Sequence, residues 1–512
     1  MRGHVNDYLR AIIGWIIRIL GLISSGRQRF RMVGFRHNQR QLKRKYGITL
    51  DTPVLSYGPE VAQSIRTAAR ARTGAMFATT SGSTGRPKEL LYTRRRLLAL
   101  KLAFSEMFMR ACYAFHLKRT SLYVFSSFEN DTSLTCLLLD ESELPDFLST
   151  LQAPYRVQRH PAIRDLVAKY GPVAVRLWVL AISNPGVLYS TNPSTISTFL
   201  DDLARDWQHS SKLARDWAND PAAFGSNVHK IARRLESRGS ASRLKQIATS
   251  DAPLSFCECV PAAAAYICWT GGYVKPFLDR LATYLPLTRF TLIPMYSMST
   301  ETIETLPHFR DQDVAFLPIA AGVVYEFTDD AENLVDAHDL EPGKLYAMVV
   351  SDGYGLRRYQ TDDLFLCKRK IAGLPDLSFV RRRSLEYSFT GEKLTAEQLG
   401  EVFEQLRATY PSLLSETFLT CVPSQPAHAT PHYKVLLIGC DVTSFHHHLL
   451  AIKCDELLSE INCEYQSKRA SGRLGPIEVQ STAFKDFVAT NINWETQFKL
   501  LPLTITDLLS SM

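Results

Sequence analysis

Thr79-Thr80-Ser81-Gly82-Ser83-Thr84-Gly85-Arg86-Pro87-Lys88 sets five hydroxyl side chains, two glycines and a lysine into ten residues, directly after apolar Met76-Phe77-Ala78. The stretch reads as a strand end followed by a loop that wraps phosphate. Glycines let backbone N–H groups approach an anion closely, hydroxyls donate further hydrogen bonds, and the lysine adds a mobile charge. It is not a Walker A loop, in which glycine and lysine are adjacent. Here Arg86-Pro87 separates Gly85 from Lys88.

The 512 residues are too many for one compact core, so at least two domains are expected. With 46% hydrophobic and 21% charged residues, the composition is that of an ordinary globular protein. A formal net charge of +8 over this length suits anionic small ligands. It does not mark a nucleic-acid binder, and Lys43-Arg44-Lys45 reads as a solvated helix face. The ten cysteines include no CxxC pair, and Cys257-Glu258-Cys259 lacks zinc-ligand spacing. They read as reduced core residues of a cytoplasmic protein. His446-His447-His448 reads as the start of a solvated helix, and no GxSxG or HExxH sequence points to a triad hydrolase or zinc protease.

Ala11 to Ile23 is apolar except for Arg18, and arginines flank it on both sides. Thirteen residues with an internal arginine fall short of the roughly 20 that cross a bilayer. An amphipathic helix packed on its domain is expected, without stable membrane insertion but with room for a peripheral contact through residues 11–23.

The spacing predicts helices over Phe35–Tyr46, ending at Gly47, and over Glu89–Ala114, with Arg94-Arg95-Arg96 on the surface. Strand-like runs occupy Ser121–Phe128 and Arg176–Ile182. Two further apolar runs, Ala264–Thr270 and Arg289–Met295, end in small or hydroxyl-rich loops, as ligand-binding strands of α/β sheets do. Residues 315–368 turn β-rich, and Thr395 is placed to cap a helix from Ala396. Strand Tyr433–Cys440 and helix Leu449–Ile461 suit a smaller α+β domain.

Four motifs then stand in order. The loop Ser81 to Lys88 resembles the phosphate loop of the adenylate-forming superfamily of acyl-CoA synthetases, luciferases and peptide-synthetase adenylation domains. Tyr296-Ser297-Met298-Ser299-Thr300-Glu301 resembles its aromatic–hydroxyl–Thr-Glu motif, and Tyr359-Gln360-Thr361-Asp362-Asp363 its Tyr-Arg-Thr-Gly-Asp motif. Lys499 stands where a catalytic lysine is expected. Gly355-Leu356-Arg357-Arg358-Tyr359, Asn462-Cys463-Glu464-Tyr465 and Gln497-Phe498-Lys499 are similar to one branch, the auxin-responsive acyl-acid amido synthetases of plants and their bacterial relatives. Gln360 replaces that family's arginine and Asp362 its glycine, while Asp363 keeps the acidic position.

The resemblance implies a mixed α/β (α+β) fold with a large adenylation domain over 1–383, a hinge over 384–391 and a small mobile α+β domain over 392–512. It implies ATP and Mg²⁺ as cofactors, and a carboxylic acid and an amine or amino acid as substrates. Ser81, Gly82, Ser83, Thr84, Gly85 and Lys88 would hold the β and γ phosphates. Gly271, Gly272 and Tyr296 would enclose adenine. Thr300 would contact the α-phosphate, Ser299 would belong to the nucleotide-binding residues beside it, Glu301 would place the metal, and Asp363 would accept from the ribose hydroxyls. Lys393 and Lys499 would reach the phosphates when the small domain closes. Two other readings stay open: a thioester-forming acyl-CoA synthetase, and a nucleotide-binding relative without catalysis.

Overall fold

The computed structural model describes residues 2–80, 88–126, 128, 152–191, 193–271, 275–295, 298–310, 313–382, 386–414, 417–426, 429–438, 444–482 and 503. The chain divides into two compact units. One comprises Met1–Thr79 and Glu89–Arg381, the other Thr80–Lys88 and Arg382–Met512.

The first unit begins with α1 (Arg2–Val33), α2 (Phe35–Tyr46) and α3 (Pro59–Arg70). Gly47 ends α2 in the left-handed conformation, its N–H returning to the carbonyls of Arg44 and Lys43. β1 (Met76–Thr80) pairs with β2 (Lys88–Tyr92), and α4 (Arg94–Ala114) follows. Residues 89–92, read above as helix, are therefore strand. The helix starts only where Thr93 accepts from the Arg96 N–H as its cap.

A four-stranded parallel sheet comes next, in the order β3 (Leu122–Val124), β4 (Val187–Tyr189), β5 (Ala265–Trp269) and β6 (Thr291–Met295). Helices α5 (Pro161–Ser183), α6 (Pro193–Arg205) and α7 (Lys275–Tyr284) alternate with these strands, and short helical segments fill 207–259. Arg176–Ile182, read above as strand, lies inside α5. Val179 to Ile182 are buried on every side, and a helix buried all round loses the periodicity that would reveal it.

The β-rich stretch forms a hairpin of β7 (Leu306–Arg310) and β8 (Asp313–Leu317) beside a five-stranded antiparallel sheet. Its strands are β9 (Val324–Thr328), β10 (Leu334–Asp336), β11 (Leu345–Ser351), β12 (Tyr359–Ile371) and β13 (Leu374–Arg382), in the order β10-β9-β11-β12-β13. Helix α2 is sewn to this sheet. Gln39 donates to the Val323 carbonyl at 2.9 Å and accepts from the Tyr325 N–H at 2.9 Å, as a neighbouring strand would.

The second unit contains a short β14 (Glu386–Tyr387)–β15 (Leu394–Thr395) pair and helix α8 (Ala396–Thr409). Thr395 and Gln398 form the reciprocal capping box that starts α8. A three-stranded sheet of β16 (Phe418–Ser424), β17 (His432–Ile438) and β18 (Glu478–Thr482) follows, with α9 (Ser444–Ile461) and α10 (Cys463–Ala470) between its last two strands. A separate apolar core, including Phe389, Phe403, Tyr433 and Tyr465, fills this unit.

Candidate functional site

The Thr-Glu motif forms a tight turn between β6 and β7. A bridge between Met298 and Ile303 closes it, and the Thr302 N–H donates to Ser299 Oγ at 3.3 Å. Two consecutive carbonyls of the turn are then claimed by the segment that follows the glycine–hydroxyl loop. The Tyr92 hydroxyl donates to the Thr300 carbonyl at 2.5 Å, and Arg96 NH2 donates to the Glu301 carbonyl at 2.6 Å. Burial pushes the Tyr92 phenol up to about 12, so it remains a donor at any ordinary pH.

Arg96 is the centre of this arrangement. Its guanidinium lies between the rings of Tyr92 and Tyr354, 4.6 and 4.8 Å from their centroids. It pairs with Asp352 at 3.3 Å and donates to the Leu91 carbonyl at 2.6 Å. Asp352 accepts in turn from the N–H groups of Tyr354 and Leu356 at 2.7 and 3.1 Å. One buried cation thus ties β2, the Thr-Glu turn and the turn leading into β12. The reading of Arg94-Arg95-Arg96 as surface holds for the first two and fails for the third. The available signal was spacing: Arg96 lies four residues before Leu100 and shares its buried face.

The lead-in to β12 is equally fixed. Arg358 is buried and holds Glu326 through Nε and NH2 at 3.0 and 3.1 Å, while Lys43 of α2 reaches the same carboxylate at 2.9 Å. Gly355 stands at φ +109°, and a Cβ there would meet the Ile65 Cα at 2.6 Å, so only glycine fits.

Asp363 follows on a strand that bulges. Ala347 faces Leu364 and Val349 faces Gln360, so the short span around Met348 opposes a longer one on β12. Thr361 Oγ1 bridges the bulge, donating to the Met348 carbonyl at 3.1 Å and accepting from the Asp363 N–H at 3.2 Å. Asp362 sits at φ +64°, the left-handed region, at the position where the resembling motif has glycine. Aspartate enters that region more readily than most residues, so the departure keeps the backbone path. Asp363 itself is buried.

Gly271 lies just beyond β5, where an added Cβ would come within 3.1 Å of the Trp269 indole nitrogen. The Trp269 ring packs on Phe379 at 5.5 Å, and Phe379 on Phe365 of β12 at 5.8 Å. A cavity of about 1630 Å³ opens on the turn side of Arg96, with Tyr92, Ser299, Ile303 and Tyr354 in its wall. Buried Cys112 and Cys268 have thiols pushed well above their usual range by burial, which leaves them inert as nucleophiles.

Lys88 opens β2 and is buried. In the second unit, Lys393 occupies φ +48° directly after Glu392. The Glu392 carboxylate is completely buried and accepts from the N–H groups of Phe389 and Thr390, from Thr390 Oγ1 and from the Tyr433 hydroxyl, at 2.5 to 3.0 Å. Asn462 caps α10 by accepting from the Tyr465 N–H, and donates to the Glu392 carbonyl at 2.9 Å. The Asn462–Tyr465 sequence therefore works as a bracket on the loop that carries Lys393. Ser81, Gly82, Ser83, Thr84, Gly85, Gly272, Tyr296 and Lys499 lie outside the described residues. Among the described residues no cluster of three metal-ligating side chains occurs.

A model of the GH3 family central domain matches residues 315–382, the stretch from β8 through β13 that contains Arg358 and Asp363. The indole-3-acetic acid-amido synthetase GH3.8 of Oryza sativa subsp. indica is 29% identical over 156 residues, 30% of this chain and 26% of that protein. The indole-3-acetic acid-amido synthetase GH3.4 of Arabidopsis thaliana is 23% identical over 238 residues, 42% of this chain and 40% of the relative. The matched stretch thus covers less than half of either relative's length. Among solved structures, the acyl acid amido synthetase AtGH3.15 in complex with 2,4-DB superposes with a TM-score of 0.53 at 16% identity, covering 91% of this chain and 86% of its own. Residues 315–382 thus match the GH3 family central domain, and the chain shares its fold with the solved acyl acid amido synthetase AtGH3.15.

Proposed function

We propose that this protein is an ATP- and Mg²⁺-dependent ligase that activates a carboxylic acid as its acyl-adenylate and passes the acyl group to an amine, in the first instance an amino acid. One observation carries the reading: Arg96 joins the Thr-Glu turn to the turn that leads into β12 and Asp363. An adenylating site needs both parts at a fixed separation.

A carboxylate is a poor electrophile because oxide is a poor leaving group. Its attack on the α-phosphate of ATP, with pyrophosphate departing, supplies a better one. The protein's task is alignment and charge neutralisation rather than covalent chemistry. Asp363, an acceptor-only group when ionised, suits the two ribose hydroxyls. Thr300 offers a hydroxyl at the α-phosphate, on a turn whose carbonyls are already committed to Tyr92 and Arg96. Gly271 leaves space at adenine that a side chain would fill.

Glu301 presents one buried carboxylate, which fits Mg²⁺ held chiefly by substrate phosphates rather than by a protein cage. The metal would supply charge neutralisation at those phosphates. Lys88 and the glycine–hydroxyl loop would bind the departing pyrophosphate, and Lys393 and Lys499 would bring charge with the C-terminal unit, here proposed as a mobile domain.

The names of the curated relatives put indole-3-acetic acid first among the acids to try. Pyrophosphate exchange across indolic, aromatic and fatty acids, followed by mass spectrometry with amino acids, tests the reading. Acid-dependent exchange and an amide product are expected. No exchange with any acid would overturn ligase activity, and a thioester formed with coenzyme A in place of an amide would reassign the acceptor.

A further inference from the structure

The face that helix α1 turns toward the protein is mainly small and polar: Gly3, Asn6, Gly14, Gly21, Ser24 and Gln28 are buried, with Met32 and half-buried Ile17 as apolar members. The approach is close enough that a Cβ at Gly21 would collide with the Met109 carbonyl of α4, and one at Gly3 would lie 3.0 Å from the Ser237 backbone. Polar anchors run along the same seam. Asn6 donates to the Glu236 carbonyl at 2.7 Å, Arg10 to the Leu235 carbonyl at 2.7 Å, and Gln28 to the Pro307 carbonyl at 3.0 Å.

The outward face is apolar. Tyr8, Ile12, Trp15, Ile16, Ile19, Leu22, Ile23 and Phe30 are all exposed, Tyr8 at 69% and Trp15 at 60%. At 100° per residue they fall within an arc of about 120°, and they extend for about 33 Å along the axis. Arg18 and Arg29 border the arc on one side and Arg27 on the other. No aspartate or glutamate occurs between Asp7 and Asp51, against ten arginines and lysines.

We propose that this face of α1 docks the protein onto the surface of an anionic bilayer, with the helix lying parallel to the membrane plane. Exposed isoleucines and a tryptophan beside arginines are what an interfacial helix presents to acyl chains and to acidic headgroups. The length and composition of α1 would also pass for a crossing helix. Crossing would require stripping Asn6, Arg10 and Gln28 from partners spread over the whole length of the helix, so the bilayer comes to the helix. A second copy is disfavoured as the occupant, because an isologous pairing would set Arg18, Arg27 and Arg29 against the same charges.

The test is flotation of the full chain with vesicles of phosphatidylcholine alone and of phosphatidylcholine with roughly 30% phosphatidylglycerol. The protein is expected to float with the anionic vesicles, to be released by about 0.5 M salt or by alkaline carbonate, and to float weakly with neutral ones. Trp15→Asp/Ile23→Asp, at two exposed positions, should reduce flotation at least tenfold with unchanged circular dichroism and thermal midpoint. Failure of the wild-type chain to float, or equal flotation of the variant, would overturn the proposal. So would resistance to carbonate, which indicates a spanning helix, or a wild-type dimer in light scattering that the variant abolishes without any vesicle binding.

Discussion

Arg96 donates to the backbone carbonyl of Glu301 at 2.6 Å, from a position 205 residues earlier in the chain. The contact is made to the main chain and fixes the peptide that carries the Glu301 carboxylate. Replacing Arg96 by methionine should strand Asp352 as an uncompensated buried charge and cost about 3 kcal/mol of stability in urea unfolding. Acid-dependent pyrophosphate exchange should fall with it. A double-mutant cycle with Asp352→Asn is expected to give a coupling above about 1 kcal/mol; additive effects would mean the pair is not coupled.

Asp362 holds a left-handed backbone conformation inside a strand. Asp362→Gly should keep or raise the unfolding midpoint, whereas Asp362→Val should lower stability by about 2 kcal/mol, because a β-branched side chain is strained there. A valine variant as stable as the wild type would show that the positive φ is not maintained in solution.

If Asp363 receives the ribose hydroxyls, Asp363→Asn should weaken ATP binding tenfold or more, since hydrogen bonds to a charged acceptor are each worth roughly 1.5–3 kcal/mol. Calorimetry with ATP and with a triphosphate lacking both ribose hydroxyls measures this. The wild-type preference for ATP should vanish in the variant.

How much of this was legible depended on whether a signal was local. Gly47 closing α2 and Thr395 opening α8 could be read because caps act within four residues. The Tyr359–Asp363 motif was visible as a string, but its bulge was not, since the bulge is defined by Met348 on another strand. Arg96 was misread because a triplet of arginines looks solvated until Tyr354 and Asp352 arrive from elsewhere in the chain. Helix α1 was expected as an amphipathic helix packed on its domain with room for a peripheral membrane contact, and hydrophobic pattern alone could not say which side faces the protein. The close approach of Gly21 to Met109, with Asn6, Arg10 and Gln28 anchored along the same seam, shows which side faces the protein.

Every group directed at the Glu392 carboxylate is a donor, so Glu392→Gln must turn an amide N–H₂ toward N–H or hydroxyl groups in either orientation. A loss of about 2 kcal/mol or more is expected in the second unit. Hydrogen exchange should show it at Phe389 and Thr390, with the first unit unaffected. Tyr433→Phe, which removes one donor, should cost less.

His308 of β7 faces Gln28 of α1 at 3.2 Å. Burial first, and then Arg110, Arg29 and Arg310, hold its imidazole below the ordinary 6.5, against an opposing pull from Asp313. Below about 6.5 the unfolded chain takes up a proton that the folded chain resists, so stability should decline as pH falls through that range and level off below the lower folded value. Thermal midpoints at neutral and mildly acidic pH measure the slope, and His308→Gln should flatten it.

The Lys43–Glu326–Arg358 cluster sets where the chain can be trimmed. A shortened form beginning near Gly34 would lose α1 and its seam along α4 but keep Lys43 on Glu326 and Gln39 along the backbone of β9. One beginning after Gly47 would remove both, leaving a buried edge unpaired and the segment before Tyr359 without its outer clamp. The two N-terminal helices are therefore held by different partners: α1 by α4 through the close approach of Gly21 to Met109, and α2 by the five-stranded sheet through Gln39 and Lys43.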